Sequence, residues 1–454
     1  MKKGERIKTE NGISCTLLKK LGRGGQAGVW EVVSDRDGKH YAYKVYKHNT
    51  NNIRSGIEAL ITLGALKDVD GRPLEELVLP LAIVEGENDS FGYLMELLDL
   101  KSYTTLKKAW SNPALYPSCQ ALCRIIRNLA RVFQTLHFSY GMCYKDVNEG
   151  NIFFNPKTGE IRIIDNDNIG YSHRFTIKGT SGYMAPEVVL GGKPDHKSDR
   201  FSLAVFAYRL FTGGFPFEGP YTEKYCVEHN ILPDDARKVI FGSDPVFVFH
   251  PKDRRNAIEN SQDPRLRGQA AFYGKLPESV KALFLNTFVT NLPKERSAER
   301  ASDEEWIRTF TELEEGLITC PVCRKTVFSG CTACFECGAP LGAPPIQKKH
   351  TVEFKVLSAG EAKRTITLSP GDELYGGSVS KNLPNTPLLK ILFHKKEKIL
   401  GIRNLSDSPW TVVLPDQTKN VVRSGQIEPL REGMLIRIIP RTAQLNVTAI
   451  RISF

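Results

Sequence analysis

Four polar side chains in the N-terminal half have the types and spacing that phosphate chemistry requires. Lys44 lies in YAYKVY, Asp146 and Asn151 stand five apart in MCYKDVNEGNIFF, and Asp165 ends the apolar segment IRIID fourteen residues later. A lysine can hold phosphate oxygens, and Asn and Asp oxygens suit Mg²⁺. A further carboxylate can orient an acceptor hydroxyl and accept its proton. The set therefore predicts phosphoryl transfer.

A glycine-rich segment precedes the lysine. In LGRGGQAGVWEV, the glycines at Gly22, Gly24, Gly25 and Gly28 stand between two predicted strands. Because glycine has no Cβ, backbone N–H groups can approach phosphate oxygens there. A dinucleotide-binding site would need a helix after the glycines, and a strand follows instead, which argues against that class. Taken alone, the segment could be a simple turn, so its interpretation depends on the polar residues downstream.

The predicted elements place these residues at the ends of strands and helices. Residues 15–47 contain three short strands, and Ile57–Leu66 predicts a helix from which Glu58 could hold the Lys44 ammonium. In Gln120–His137 the apolar residues recur every three or four positions, which predicts a long helix. The first 110 residues are β-rich and the next 200 mostly helical, which predicts an α+β fold.

These segments and the later KGTSGYMAPE, HKSDRFSLAVFAYRLF and AERASDEEW resemble a protein kinase domain of the eukaryotic-like type found in bacteria. The resemblance implies a bilobal α+β kinase fold over residues 10–316, with an N-lobe at about 10–98 and a C-lobe at about 99–316. It also implies a serine/threonine kinase that uses ATP with Mg²⁺ or Mn²⁺ and phosphorylates itself or a partner protein.

The resemblance assigns roles residue by residue. The catalytic matches are Asp146, Lys44, Glu58 and Thr180. The Mg²⁺ matches are Asn151 and Asp165. The nucleotide-binding matches are Gly22, Gly24, Gly25, Gly28, Val29, Lys44, Met95, Glu96 and Leu98.

Other matches concern structure and regulation. Ala185–Glu187 match the APE segment, Asp199 matches the helix F aspartate, and Arg300 matches the arginine that pairs with Glu187. Between the magnesium aspartate and the APE segment lie two candidate phosphorylation sites, Ser172 and Thr176. Each can equally be a solvated loop hydroxyl.

Several positions depart from the kinase pattern. Ala27 replaces the third loop glycine, Tyr144–Lys145 replaces the first two residues of HRD, and Asn148 replaces a lysine that most Ser/Thr kinases carry. Asp165–Asp167 read DND where DFG is expected. These changes keep the metal and nucleotide ligands but remove one cation near the transferring group. Two hypotheses stay open, a slow or specialised kinase and a nucleotide-binding pseudokinase scaffold.

Five of the ten cysteines lie close together after the kinase-like region. Two CxxC pairs separated by ten residues can close a tetrahedral Zn²⁺ site. A fifth cysteine, Cys331, could compete by pairing with Cys334, although the CGAPL ending is similar to a zinc-ribbon knuckle that uses Cys337. We therefore predict a zinc ribbon over residues 317–343. Its expected ligands are Cys320, Cys323, Cys334 and Cys337.

Residues 351–454 alternate short strands with turns, which predicts an all-β sandwich or small barrel. The segment loosely resembles a forkhead-associated domain in its order of strands. The arginine and serine that bind phosphothreonine in that family are not evident, so phosphopeptide binding is a secondary hypothesis. We expect this domain to recruit a substrate or partner.

Charge and composition limit the remaining classes. The 454 residues carry 62 Lys and Arg against 51 Asp and Glu, a net charge of +11, and residues 351–454 alone carry 15 against 9. The kinase-like region is nearly neutral, which argues against nucleic acid as a partner. No apolar run is long enough for a membrane span and no secretory signal is evident, so we expect a cytoplasmic protein.

FVFHPKDRRN and the DND segment are similar to kinases of tellurium-resistance-type phosphorylation triads. Those kinases are encoded beside a von Willebrand A protein and a PPM-type phosphatase. The resemblance implies that this chain has partners of these two kinds.

Overall fold

A computed structural model of the chain forms two compact units, Met1–Pro344 and Pro345–Phe454, and each is described by itself. The residues that the structure describes are 1–23, 27–46, 51–86, 90–171, 179–230, 233–290, 292, 300–331, 333–335, 337–341, 351–358, 361–376, 386–394, 399–438 and 445–453.

The first unit begins with a six-stranded antiparallel sheet in the order β1-β2-β3-β4-β6-β5 and one helix, α1. Alternate residues of each strand point to opposite faces. On β4, Tyr43 and Val45 enter one buried core, whereas Ala42 and Tyr46 enter the core shared with Ile57 of α1. The elements are β1 Arg6–Lys8, β2 Ser14–Arg23, β3 Ala27–Ser34, β4 His40–Tyr46, α1 Asn51–Leu63, β5 Pro80–Glu85 and β6 Phe91–Glu96.

The rest of the kinase-like region is mostly helical, with one small sheet in the order β7-β8-β9. The short strands are β7 Thr104–Thr105, β8 Ile152–Phe154 and β9 Ile161–Ile163. The α-helices are α2 Leu106–Ser111, α3 Cys119–Ser139, α4 Pro186–Val189, α5 His196–Thr212, α6 Pro220–His229, α7 Pro233–Lys238, α8 Pro264–Gly274, α9 Glu278–Leu285 and α10 Asp303–Glu315. Short 3₁₀ or π turns cover Pro113–Leu115, Asn166–Asn168, Val239–Ser243 and Asn286–Thr290.

Helix α5 is the centre of this helical region. It is buried on nearly every side, and an Asp195–Ser198 capping box begins it. The left-handed Gly213 ends it. The long α3 packs beside it with one apolar face, as its periodicity predicts. None of the helices in the described part of the chain has both the length and the apolar character that crossing a membrane requires.

The cysteine-rich segment is part of the first unit. Strands β10 (Ile318–Thr319) and β11 (Thr326–Val327) pair antiparallel. Phe328 is fully buried in the same core as the helices, and its ring centroid lies 6.1 Å from that of Phe211 on α5. Residue 316 is therefore not a boundary between compact units, because the segment shares its core with the kinase-like region.

The described residues of the second unit lie mostly in β-strands, in agreement with the predicted β-rich domain. Its sheets have the orders β13-β12-β21-β20-β17-β18 and β14-β15-β16-β19, and both contribute to one buried core around Phe354, Ile402 and Trp410. Two sheets on a common core fit a sandwich. The strands are β12 Thr351–Ser358, β13 Glu361–Leu368, β14 Glu373–Tyr375, β15 Pro387–His394, β16 Ile399–Asn404, β17 Trp410–Val413, β18 Lys419–Val422, β19 Ile427–Pro429, β20 Leu435–Ile438 and β21 Leu445–Ser453.

Candidate active site and candidate metal centre

The β8–β9 hairpin brings the two predicted Mg²⁺ ligands to the same end of a small sheet. Asn151 directly precedes β8, and Asp165 follows β9 by two residues. The strands pair antiparallel with Ile152 opposite Ile163, and the Ile164 N–H donates a 2.9 Å hydrogen bond to the Asn151 carbonyl. Strand pairing therefore brings Asn151 and Asp165, fourteen positions apart in the sequence, to the same end of the hairpin.

The predicted catalytic aspartate lies beside this pair. Thr180 Oγ1 donates a 2.7 Å hydrogen bond to Asp146 Oδ1. The Asn151 amide donates to the other carboxylate oxygen at 3.3 Å and to the Asp146 carbonyl at 3.0 Å. The structure thus brings Asp146, Asn151 and Thr180 into one hydrogen-bonded group, which leaves the half-buried carboxylate oriented by two neighbours.

Asn148 organises the loop between these residues. Its side-chain oxygen accepts hydrogen bonds from the N–H groups of Gly150, at 2.8 Å, and Asn151, at 3.1 Å. Its amide donates to the Asp146 carbonyl at 3.2 Å. A lysine has no acceptor and cannot make the first two of these contacts. The residue that departs from the kinase pattern therefore caps the turn of the loop.

Asp199 anchors the other end of the same loop. Its buried carboxylate accepts hydrogen bonds from the backbone N–H groups of Tyr144, at 2.6 Å, and Lys145, at 2.8 Å. Lys145 has φ of 73°, a left-handed conformation that is costly for a lysine and that concentrates at functional sites. Its ammonium donates to the Asn168 carbonyl at 3.0 Å, and burial lowers the pKa of Lys145 to about 7.

A buried histidine that the sequence did not single out supports this anchor. The ring nitrogens of His137 lie 3.1 Å from Asp199 and 2.9 Å from Asp303. Burial opposes the charged ring, but hydrogen bonds to both carboxylates outweigh it and raise the pKa of His137 to about 9. A histidine with a carboxylate at each nitrogen is an imidazolium that donates twice. In the sequence, His137 is part of the apolar periodicity of α3, and nothing in that pattern indicates that it contacts two carboxylates.

Lys44 is buried on β4 directly opposite Val29, which is itself opposite Gly22 on β2. Its ammonium lies 3.1 Å from Asp165 and 3.0 Å from Asp167. Burial would lower the pKa of Lys44, but attraction to the nearby carboxylates outweighs this effect and raises it. Asp167 was missed from the sequence, although an aspartate where kinases carry the DFG glycine was a visible signal.

The predicted ion pair between Lys44 and Glu58 is not formed. The exposed Glu58 carboxylate lies 2.8 Å from Arg54, one helical turn earlier on α1. Arg54 also contacts Glu85 on β5 and Glu10, so it draws Glu58 into a surface cluster. The expectation failed because a nearer cation competes for the carboxylate.

The other described residues that were predicted to bind nucleotide lie on strands of the six-stranded sheet or directly after one of them. An added Cβ at Gly22 would meet no protein atom within 4 Å, so nothing inside the described chain requires a glycine there. Gly28 lies opposite Val45 on β4. Met95 is buried near the end of β6, Glu96 is exposed, and Leu98 is partly buried just after that strand.

Four residues predicted from the sequence lie outside the described part of the chain. They are Gly24, Gly25, Ser172 and Thr176.

Arg300 and Glu187 form the predicted pair. Two guanidinium nitrogens each donate a 2.8 Å hydrogen bond to one carboxylate oxygen of Glu187. Arg300 is almost fully buried and also donates to the Lys197 carbonyl. Such a bidentate pair ties α4, near Thr180, to the segment that begins α10.

A cavity of about 700 Å³ lies in the helical region, between α2, α5, α6 and α8. Arg209 is in its wall and joins it to the loop of Asp146, because its guanidinium lies 2.5 Å from Glu149. The cavity lining includes none of the described residues predicted to bind nucleotide.

Four cysteines form the candidate metal centre. Sulfur atoms lie 3.7 Å apart in the pairs Cys320–Cys337 and Cys323–Cys334, and all four lie within 4.8 Å of one another. A tetrahedron with Zn–S bonds of about 2.3 Å has sulfurs about 3.8 Å apart, so the spacing fits zinc. The members are Cys320, Cys323, Cys334 and Cys337.

The fifth cysteine of the segment has a different partner. Cys331 is buried, and its thiol donates a 2.9 Å hydrogen bond to the Lys275 carbonyl. Burial raises the pKa of Cys331 to about 12, so it is a neutral thiol. The geometry therefore resolves the choice that the sequence left open, in favour of the CxxC pair at 334 and 337.

Comparison with known proteins identifies the family. The model of the protein kinase domain matches residues 15–307. The chain therefore belongs to the protein kinase family, and the predicted bilobal α+β kinase fold agrees with this membership.

Several curated serine/threonine kinases are similar to the chain. PknA of Mycobacterium tuberculosis is 27% identical over 221 residues, 47% of this chain and 50% of that protein. Pkn1 of Myxococcus xanthus is 24% identical over 290 residues, 58% of this chain and 38% of that protein. The DNA damage-responsive kinase RqkA of Deinococcus radiodurans is 28% identical over 232 residues, 48% and 32% of the two chains. The chain spans half or less of the length of these relatives.

Proposed function

We propose that this chain is an ATP- and Mg²⁺-dependent serine/threonine protein kinase that phosphorylates itself or a partner protein. The observation that carries the proposal is the hydrogen-bonded group of Asp146, Thr180 and Asn151 at the same end of the β8–β9 hairpin as Asp165. Membership of the kinase family and the serine/threonine kinase relatives support it.

The residues divide the work of phosphoryl transfer. Lys44 would hold the α and β phosphates of ATP, and Asn151 and Asp165 would hold Mg²⁺, which when bound would supply positive charge to the phosphate oxygens. The Asp165 side chain is 35% exposed and offers hard carboxylate oxygens, which are donors that suit this ion. Asp146 orients the acceptor hydroxyl and takes its proton. Thr180 fixes the orientation of that carboxylate.

The alternative is a pseudokinase that binds nucleotide and acts as a scaffold. It was suggested by the missing lysine at Asn148, which has a structural role as the cap of the catalytic loop. The loop is thus organised without a lysine, while the cation that the lysine would bring to the transferring phosphoryl group is absent from position 148, so the transfer assay decides between the two functions.

The test is transfer of radiolabelled γ-phosphate by the wild type and by Asp146→Asn, with nucleotide binding measured on both. We expect transfer by the wild type, loss of transfer in Asp146→Asn and similar nucleotide affinity. Asp70→Asn, in an exposed ion pair with Arg72, is the matched control and should behave as wild type. Nucleotide binding without transfer to itself or to added proteins would support the scaffold instead.

We further propose that the four-cysteine centre holds structural Zn²⁺ and that the C-terminal unit, whose sequence loosely resembles a forkhead-associated domain, recruits partners. A von Willebrand A protein and a PPM-type phosphatase in the cytoplasm are the partners that the sequence resemblance implies. Phosphorylation of the purified von Willebrand A protein, and its reversal by the phosphatase, would support this assignment. Equal transfer to an unrelated acceptor would argue against it.

A further inference from the structure

The Lys44 ammonium has two carboxylate neighbours in different surroundings. Asp165 is 35% exposed, as a group that must reach a bound metal would be. Asp167 is only 5% exposed and lies 3.0 Å from the ammonium. Asp165 is therefore accessible to a bound metal ion, whereas Asp167 is buried.

The segment that carries Asp167 is held from several directions. The side-chain amide of Asn166 is buried and donates to the carbonyls of Val78, at 2.9 Å, and Ile163, at 2.7 Å. The Lys145 ammonium donates to the Asn168 carbonyl. Gly56 of α1 faces the Asp167 carbonyl, which a Cβ on the glycine would meet at 4.0 Å. These contacts fix the backbone on both sides of Asp167.

Glu58 pairs with Arg54 and not with Lys44. Arg54 lies 2.8 Å from Glu58 and 2.9 Å from Glu10, and it also contacts Glu85. Three carboxylates share this one guanidinium where α1 meets β5. Bringing Glu58 to Lys44 would remove one of them from its cation.

We propose that Asp167 is the positioning residue that anchors Lys44, in the role that the sequence predicted for Glu58. The inference rests on the proposed kinase function. A buried carboxylate at hydrogen-bond distance holds the ammonium without any movement of α1. Asp165 is then free to bind metal, because Lys44 keeps one anionic partner. The residue that positions Lys44 thus belongs to the DND segment.

The first test compares steady-state transfer by Asp167→Asn and Glu58→Gln. Both substitutions remove one negative charge and keep the shape of the side chain. We expect Asp167→Asn to raise the KM for ATP by about tenfold or more, since hydrogen bonds to charged groups are among the strong ones. Glu58→Gln should have the smaller effect. The opposite order would overturn the proposal.

The second test does not require catalysis. Dissociation constants of a non-hydrolysable imido analogue of ATP, with Mg²⁺, are measured for wild type, Lys44→Met, Asp167→Asn and the double variant. If Asp167 acts through Lys44, Asp167→Asn weakens binding of the analogue when Lys44 is present. In the Lys44→Met background the same substitution causes no further loss of affinity. Additive effects, or no effect of Asp167→Asn alone, would overturn the anchor.

Two further measurements separate misfolding and inactivity from failure of the anchor. Thermal unfolding shows whether each variant folds. If Asp167→Asn does not fold, Asp167→Ser replaces it in this double-mutant cycle of dissociation constants. A wild type that binds the analogue but transfers no phosphate would defeat the proposed function, while the cycle would still decide the role of Asp167.

Discussion

Thr180 Oγ1 donates a 2.7 Å hydrogen bond to Asp146 Oδ1, so a residue from the segment before α4 sets the orientation of the proposed catalytic base. The contact joins residues 34 positions apart in the sequence. It makes the position of this segment part of the active site.

Replacing Thr180 by valine should therefore lower kcat by about tenfold or more, because a hydrogen bond to a charged carboxylate is lost. Thr180→Ser keeps the hydroxyl and should retain most activity. Steady-state transfer to a peptide acceptor measures both. Equal activity of the valine and serine variants would show that the hydrogen bond does not matter for transfer.

Asn148→Lys restores the residue of most Ser/Thr kinases, but we expect it to lower transfer. The lysine cannot accept the hydrogen bonds from Gly150 and Asn151, and the loop loses about 1 kcal/mol of stabilisation. Asn148→Asp keeps the acceptor oxygen and is the matched control for the loop. A lysine variant faster than wild type would contradict this view of the loop.

Zinc removal should destabilise the whole first unit, because Phe328 and Cys331 beside the metal centre belong to its core. A chelator, or Cys337→Ser, should lower the unfolding temperature by several degrees and release zinc. Calorimetry with metal analysis measures both. Cys331→Ser keeps a donor for the Lys275 carbonyl and should retain zinc. Loss of zinc from Cys331→Ser but not from Cys337→Ser would reverse the ligand assignment.

His137 should make stability depend on pH. Its pKa rises from 6.5 in the unfolded chain to about 9 in the fold, so its contribution is full below about pH 6.5 and is lost as pH rises through 9. The contribution is roughly 3 kcal/mol.

The titratable groups that face this ring are Asp199, Asp303 and His196, and Arg200 pairs with Asp303 beside it. Urea unfolding between pH 6 and 10 should show the decline in the wild type and a flatter profile in His137→Gln. Parallel profiles would assign the decline to other groups.

Much of the site could be predicted because its residues lie in short motifs. Asp146 and Asn151 are five apart in one loop, and Asp165 follows the paired strand by two residues, so local spacing and one hairpin suffice to bring them together. The CxxC pairs likewise place two sulfurs at one turn each. Family membership of the chain was evident for the same reason.

Competition between groups that are distant in the sequence could not be predicted. Glu58 has a suitable spacing for Lys44, and Arg54 lies only four residues before it, but Glu10 and Glu85 meet Arg54 only when α1 packs against the sheet. Asp167 contacts Lys44 because folding brings the DND segment next to β4. The two residues are 123 positions apart in the sequence.

Sequence alone determined the residue types and local spacing that identify a protein kinase domain and a set of four cysteines suited to zinc. Tertiary structure decided which charged group pairs with which, that Cys331 is excluded from the metal centre, and that the cysteine segment shares the helical core. The reason is physical. Side-chain chemistry and short spacing are properties of the chain, whereas partner choice depends on burial and on distances that exist only after distant segments pack together.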